Sequence, residues 1–504
     1  MSAPVVVVGG GHNGLVAACY LAKAGEQVLV LEQSAKPGGG ARTEETVPGH
    51  LFDTHSVAHN ILNMTPIPAE LDLAGAGLRY TEMEPFAAGF FADGRVARFH
   101  RSVDETVAGL PEPEASSYAA LMHRALPLVE VAVTGISGES ALGKVGALLR
   151  AVRRSGGPVD LMHDLVMPYG ALLERDLASD LTRGPVASFA AHSSAGPHVP
   201  GSAFYALWQA AYHRFGQWHA VGGSQGLTDA LVTRLVSYGG ELRTSAAVTR
   251  IDAAGGEVRG VVVDGELLPA RGVVTATDVQ TALLSLLDPP LAGRAGAELR
   301  AAHRGNAVQM LVHVAVDRLP AYPGAQPGDW NGLQSHVDTL DELRRGFHAA
   351  EARQLPDPAP TYAFTPSAID DSLAPAGQHT VYLACPCAPF DVEGGWAAQR
   401  ERFAEAMLDS MERHAPGFRS TITGMSIRTP ADMVAELAWP GAHPMHLDIS
   451  IDQLAFLRPT RKLGSHRVPG VRRLVVSGAG TAPVGGIAGS PGKAAAKVLL
   501  ADLG

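Results

Sequence analysis

The chain opens on four consecutive valines, Val5 to Val8, that run directly into Gly9-Gly10-Gly11-His12-Asn13-Gly14. A second apolar run, Gln27-Val28-Leu29-Val30-Leu31, ends on Glu32. Between them, residues 15–24 read as a helix. A buried strand, a glycine turn, a helix and a strand closed by an acid form the fingerprint of a dinucleotide site. Gly9 allows the tight turn, Gly11 lets the backbone approach a pyrophosphate, and Gly14 lets helix and strand pack closely. The start of the helix aims unpaired N–H groups and a partial positive charge at the phosphates. Glu32 is placed to accept hydrogen bonds from ribose hydroxyls, and its charge disfavours a 2′-phosphate. The pattern therefore predicts FAD or NAD rather than NADP.

A second glycine cluster separates those two cofactors. The stretch from Ser477 to Gly492 follows the apolar strand Leu474-Val475-Val476 and precedes a helix over residues 491–500, with Ser490 as its expected N-cap and Pro491 at its first position. An NAD site needs one such turn. Two of them, at opposite ends of a chain of 504 residues, suit a longer cofactor held at both ends. FAD fits, with its ADP half at the N-terminal turn and its isoalloxazine near the C-terminal helix.

A length of 504 residues exceeds one ordinary core, so two or three domains are expected. Residues 1–65 read as the first part of an FAD-binding domain, and residues 66–215 as a mostly helical first part of a substrate domain. Residues 216–290 return to the FAD-binding domain, with a helix over 226–238, a strand over 241–251 and a hairpin turn at Asp264-Gly265. Residues 291–465 form the second part of the substrate domain, with a surface loop over 320–332, and residues 466–504 complete the FAD-binding domain.

The bulk composition excludes several classes. Hydrophobic content of 46% with 18% charged residues is that of a folded globular protein. A net charge of −10 argues against a nucleic-acid partner. Three cysteines cannot build a disulfide framework and suit a reducing cytosol; Cys385-Pro386-Cys387 reads as a buried strand end. No run of 18 apolar residues suggests a spanning helix, and Met1-Ser2-Ala3 enters the first strand directly, leaving no room for a signal peptide. The expected location is cytoplasmic. The basic amphipathic segment 144–154 reads either as a solvated helix face or as a peripheral contact with an anionic membrane.

Several further motifs carry a family resemblance. They are Pro37-Gly38-Gly39-Gly40-Ala41-Arg42-Thr43-Glu44-Glu45, Gly222-Gly223-Ser224-Gln225-Gly226-Leu227, Pro366-Ser367 through Pro375, His446 through Leu454 with Arg458-Pro459, and the terminal glycine stretch. With them, the chain resembles the phytoene desaturase-related flavoproteins of the amine oxidase-like superfamily. Within it, the resemblance extends to the pyridine nucleotide-disulfide oxidoreductase domain-containing protein 2 group and to the desaturase-like carotenoid ketolases. The resemblance implies an α/β fold: a discontinuous, glutathione reductase-like Rossmann FAD-binding domain with an inserted α+β substrate domain. It implies FAD contacts at Gly9, Gly11, Gly14, Glu32, Gly39, Arg42 and Thr43, at Val248 beside the adenine, and at Gly480, Gly486 and Ile487 near the flavin. Arg42 is also suited to neutralising a pyrophosphate.

Flavin chemistry asks little of protein acids and bases, because the isoalloxazine itself takes the hydride. His55, His59 and His446 are the candidates for accepting a substrate proton or tuning the flavin. Phe204, Trp208, Tyr212 and Phe215 recur at helical spacing, so Trp208 and Tyr212, with Gln453 from the His446 motif, are candidate pocket residues. No metal ligands with usable spacing are seen. The expected function is FAD-dependent dehydrogenation of a largely apolar small molecule, with dioxygen, a quinone or another acceptor taking the electrons. The alternatives are a redox-neutral or oxygenating flavoenzyme, an amine oxidase lacking the branch's expected lysine and paired aromatics, and a non-catalytic lipid-escort protein. Composition leaves the oligomeric state open.

Overall fold

The computed structural model describes residues 3–137 and 141–504, with the side chains of residues 137, 141–144 and 147 left out. Met1 and Ser2, read above as leading into the first strand, and the side chain of Lys144 therefore lie outside the described residues.

The valines do form a strand, Val5–Val8, and all four are buried: strands cover both edges, helices pack on the face of Val5 and Val7, and a second sheet packs on the face of Val6 and Val8. It is the centre of a five-stranded parallel sheet ordered Leu474–Val476, Gly272–Thr275, Val5–Val8, Val28–Leu31, Glu241–Arg243. Val6 stands opposite Val273 on one side and Leu29 on the other. The sheet thus draws strands from the start, the middle and the end of the chain.

The helix His12–Lys23 leaves this sheet through Gly9, whose φ of 101° is costly for any residue with a Cβ. It packs against the helices Gln225–Ser237 and Ser490–Leu503. Two contacts are so close that only glycine fits. A Cβ on Gly14 would lie 2.0 Å from the Gly9 carbonyl oxygen, and one on Gly492 would lie 2.2 Å from that of Asn13. The C-terminal helix is therefore pressed backbone to backbone onto the first turn of the N-terminal one.

A four-stranded sheet beside it contains Glu266–Pro269, Glu257–Val263, Val248–Ala254 and Leu287–Asp288. The hairpin about Asp264-Gly265 forms as the sequence indicates. The expected single strand over 241–251 does not. Ser245 turns left-handed at φ 51°, and the chain leaves the parallel sheet after Arg243 and enters the hairpin sheet at Val248.

The remaining large layer is a seven-stranded sheet ordered Ile422–Arg428, Ala307–Val316, His379–Pro389, Thr361–Phe364, Leu333–His336, Ala87–Phe90, Val96–Phe99. Residues 66–215 are mostly helical, as expected, but this sheet's last two strands and Tyr80–Glu82 interrupt the helices. Cys385 and Cys387 are buried inside the strand His379–Pro389 rather than at its end. The register shift between Val308 and Met310 on the neighbouring strand makes room for the intervening Pro386, which has no N–H to donate. The segment 320–332 is irregular, but Tyr322 and Asp329 are buried, so it is not purely a surface loop. At the last helix the N-cap is Gly489, at φ 71°, and Ser490 is the first helical residue.

Glu114–Ser137 is, by length and composition, apolar enough to cross a membrane, which departs from the expectation of no such segment. Its residues Tyr118, Leu121, Met122, Ala125, Val129 and Val133 recur at helical spacing and are buried in the protein's own core. That is the pattern of a core helix.

Candidate functional site

A cavity of about 1180 Å³ runs between the parallel sheet and the seven-stranded layer. It exceeds the ~300–1,000 Å³ of ordinary small-molecule sites, as a long cofactor together with a substrate would require. Gly9, Gly11, Glu32, Gly39, Val248, Gly486 and Ile487 all line it. Gly11 and Gly39 face each other across its wall. A Cβ on Gly11 would meet nothing closer than Gly39 Cα at 4.0 Å, so the space beyond it belongs to the cavity.

Glu32 is fixed by its neighbours. The N–H of Gly10 donates to Glu32 Oε2 at 2.7 Å, and that of Ser34 donates to Oε1 at 2.8 Å. Both bonds are charge-assisted and largely shielded from water, so they hold the carboxylate at the strand's end with lone pairs still facing the cavity. Glu32→Ala leaves two amides unpaired. It is expected to cost about 2 kcal/mol or more of stability, measured by denaturant unfolding, and to weaken cofactor binding at least about tenfold, measured by flavin titration. Wild-type values for both would rule out the assigned role.

The two glycine clusters meet directly. His12 Nε2 donates to the carbonyl of Gly486 at 3.0 Å, bridging 474 positions of sequence. Burial lowers the His12 pKa to about 4, so the ring is neutral at physiological pH and this bond carries no net charge. Asn13 beside it keeps a buried Oδ1 without a hydrogen-bond partner.

Three aromatic side chains stand together on the wall. Trp439 lies 4.9 Å from the ring of His55 and 5.6 Å from that of His446, centroid to centroid. A Cβ on Gly40 would come within 2.8 Å of Trp439 Cη2, so the glycine motif also makes room for this indole. Burial, with the charges of Arg428 and Arg42, holds the His55 pKa well below its usual value. Burial likewise lowers His446 to about 4, with Arg304 and Arg458 lowering it further and Asp278 opposing them. Both imidazoles are neutral and weakly basic at neutral pH. The aromatics Trp208 and Tyr212 also line the cavity, joined by Phe189 and Tyr362.

Other residues named from the sequence lie behind the wall. His59 is fully buried between Tyr80 Oη at 2.9 Å and Ser224 Oγ at 3.0 Å. Gln453 donates through Nε2 to the carbonyls of His303 and Asp448, both at 3.3 Å, and packs in the core instead of lining the pocket. Arg42 is buried with Nε 3.4 Å from a Glu44 carboxylate oxygen, away from the lining where a pyrophosphate partner was expected. Thr43 Oγ1 donates to Asp53 at 2.7 Å and accepts from the Gln225 N–H at 3.0 Å, tying the glycine loop to the mid-chain helix. Gly14 and Gly480 act as spacers: a Cβ on Gly480 would sit 3.3 Å from that of His446.

Trp439, Tyr362 and Asp278 are lining residues that the sequence reading missed. Asp278 accepts from the N–H of Thr281 at 2.9 Å and pairs with Arg304. The fold also gathers His198, His348 and Glu351, with one ligand atom each within 4.8 Å of the others, on a partly exposed surface that sequence spacing did not reveal.

Comparison with known proteins accords with this geometry. The family model described as flavin containing amine oxidoreductase matches residues 14–490. The rat pyridine nucleotide-disulfide oxidoreductase domain-containing protein 2 is 29% identical over 99% of this chain and 93% of its own length. A lycopene-forming phytoene desaturase of Pseudescherichia vulneris is 25% identical over 99% of both chains. Among solved structures, an oxidoreductase from Methanosarcina mazei superposes with a TM-score of 0.65 at 16% identity, covering 99% of both chains. Putrescine oxidase bound to putrescine gives 0.63 at 16% identity, again over 99% of each.

Proposed function

Because the chain belongs to the flavin-containing amine oxidoreductases and is an FAD-dependent oxidoreductase, we propose that it oxidises a largely apolar small molecule by hydride transfer to flavin N5. The observation that carries this reading is the charge of the cavity wall. Among the described residues that line it, the formally charged side chains are Glu32 and Asp278, both on the parallel-sheet side, and Asp278 is neutralised by Arg304. Around Phe189, Trp208, Tyr212 and Tyr362 no carboxylate waits for a cationic amine. Burying an ammonium there without an anion would cost several kcal/mol or more. An uncharged, mostly hydrocarbon molecule pays no such penalty.

Gly9, Gly11, Glu32, Gly39 and Val248 would hold the adenine-nucleotide half of the cofactor, and Gly486 and Ile487 the flavin half. The bound cofactor supplies the hydride acceptor, and dioxygen, a quinone or another oxidant then takes the electrons. Trp439, His55 and His446 wall the cavity with neutral rings, which keep water out and add no competing charge. The same reading makes the protein a cytoplasmic enzyme with a peripheral contact to membrane lipid, from which such a substrate is drawn.

Anaerobic mixing tests the reading. A carotenoid or other long apolar substrate bleaches the flavin's visible absorption stoichiometrically, whereas putrescine and cyclohexylamine leave it yellow. Bleaching by the amines alone would overturn the proposal. Turnover of a carotenoid with the flavin oxidised throughout would favour an isomerase on the same fold.

A further inference from the structure

Most of the large apolar side chains that the described residues leave in water lie together. Leu148 and Leu149 are 48% and 64% exposed on the helix Ala141–Arg154, Val159 and Met162 are 78% and 60% exposed on Pro158–Val166, and Ile451 and Phe456 are 47% and 74% exposed on a third segment. Gly201 joins these segments. Its N–H donates to the Val166 carbonyl at 2.8 Å, and Ile451 packs so closely that a Cβ there would lie 2.1 Å from Ile451 Cγ1. Leu148, Met162, Ile451 and Phe456 also border the large cavity. The exposed patch therefore surrounds the rim of the cavity, and these four side chains face both solvent and the interior.

Soluble proteins seldom leave a contiguous apolar patch without a use for it. The charge around this one is informative. Arg150, Arg153 and Arg154 are exposed on the first helix, and Arg461 and Lys462 follow Phe456; nearby acids are Glu130, paired with Arg150, and the exposed Asp160 and Asp452. On a chain whose net charge is −10, this face carries an excess of cations. Apolar side chains flanked by arginine and lysine match an anionic bilayer, with the rings and alkyl groups in the headgroup boundary and the cations on the phosphates.

We propose that this rim docks on an anionic phospholipid surface, so that the cavity opens onto the acyl chains. The inference rests on the reading that the substrate is apolar, and it names the surface through which such a molecule enters. The segment 144–154 acts here together with Pro158–Val166 and the residues about Phe456, not alone.

The test uses the FAD-loaded enzyme and sedimentation with vesicles of phosphatidylcholine alone or with about a third phosphatidylglycerol. The wild type is expected to sediment with the anionic vesicles and to release as salt rises. The double variant Leu149→Asp with Val159→Asp, at two positions outside the cavity lining, should retain its flavin content and melting temperature yet bind these vesicles at least about tenfold more weakly. Wild-type protein that stays in the supernatant with both vesicle types overturns the inference. So does a double variant that binds like wild type, or ultracentrifugation showing a dimer that the double variant dissolves, since a second copy would then cover the rim. These outcomes leave the bleaching experiment untouched. Vesicle binding without bleaching by any apolar compound would sink the substrate reading instead.

Discussion

Replacing Gly11 with leucine is expected to give a folded, colourless protein. The Cβ position at Gly11 has Gly39 Cα, 4.0 Å away, as its nearest neighbour, so the protein itself tolerates a side chain there. The branched end of leucine then extends into the cavity between the two glycine loops, where the cofactor's phosphates need bare backbone. FAD occupancy after purification should fall below about a tenth of wild type, a loss of more than about 1.4 kcal/mol of binding. The melting temperature of the two proteins stripped of flavin should agree. Gly14→Leu is the contrasting case: its Cβ alone would overlap the Gly9 carbonyl oxygen at 2.0 Å, so that variant should fail to fold. A yellow Gly11→Leu protein with full flavin content would refute the assignment of this turn.

Acid should unfold the enzyme near pH 5, well above the range in which carboxylates titrate. Burial lowers the pKa of His12, His192 and His213 to about 4 and that of His59 to about 3, from an ordinary value of 6.5. Because the folded values are depressed, the unfolded chain takes up protons between about pH 6.5 and pH 4 that the folded chain refuses. Stability is thus complete above the unfolded value and is lost as pH falls towards the folded one. At pH 5 each such ring forfeits about 2 kcal/mol, and together they approach the whole stability of an ordinary domain. His219 works the other way. Burial lowers its pKa, but the hydrogen bond to Asp370 and the charge of Asp53 outweigh that and leave it raised. Its contribution is full below the ordinary value and fades as pH rises, so at pH 5 it still stabilises the fold but gains nothing more as pH falls further. Flavin release and near-ultraviolet circular dichroism should both show a cooperative transition centred at about pH 5. Native signals persisting to pH 4 would show that these rings are not buried neutral.

What could be read from the sequence was what local backbone chemistry dictates. Val5 to Val8, the glycines at 9, 11 and 14, and the acid at 32 each answer to a requirement set within about 30 residues of chain, and residues of both glycine clusters line one cavity. The strands Ala87–Phe90 and Val96–Phe99 were missed for a physical reason. Ala87-Ala88-Gly89-Phe90 has no alternation and little β-branching, and it becomes a strand because the Leu333–His336 and Val96–Phe99 strands take up its hydrogen bonds. The cavity wall was legible only in part, because it is assembled at long range. Trp439 reaches Gly40 and His55 across almost 400 residues, and nothing in the surrounding Leu437-Ala438-Trp439-Pro440-Gly441 announces that meeting. Arg42, Thr43 and Gln453 sit in motifs that were recognised, but which way each side chain turns depends on partners such as Glu44, Asp53 and His303, which the motif does not contain.

The bond between His12 and the Gly486 carbonyl has a consequence for biogenesis. The strand Leu474–Val476 is an outer member of the parallel sheet, and the helix Ser490–Leu503 lies against the first helix to be synthesised. A nascent polypeptide that has yet to expose this segment has its nucleotide pocket half built, so vitamin-derived cargo is loaded only after residues 474–503 have emerged. Ribosomes stalled before the final segment should carry chains that capture none.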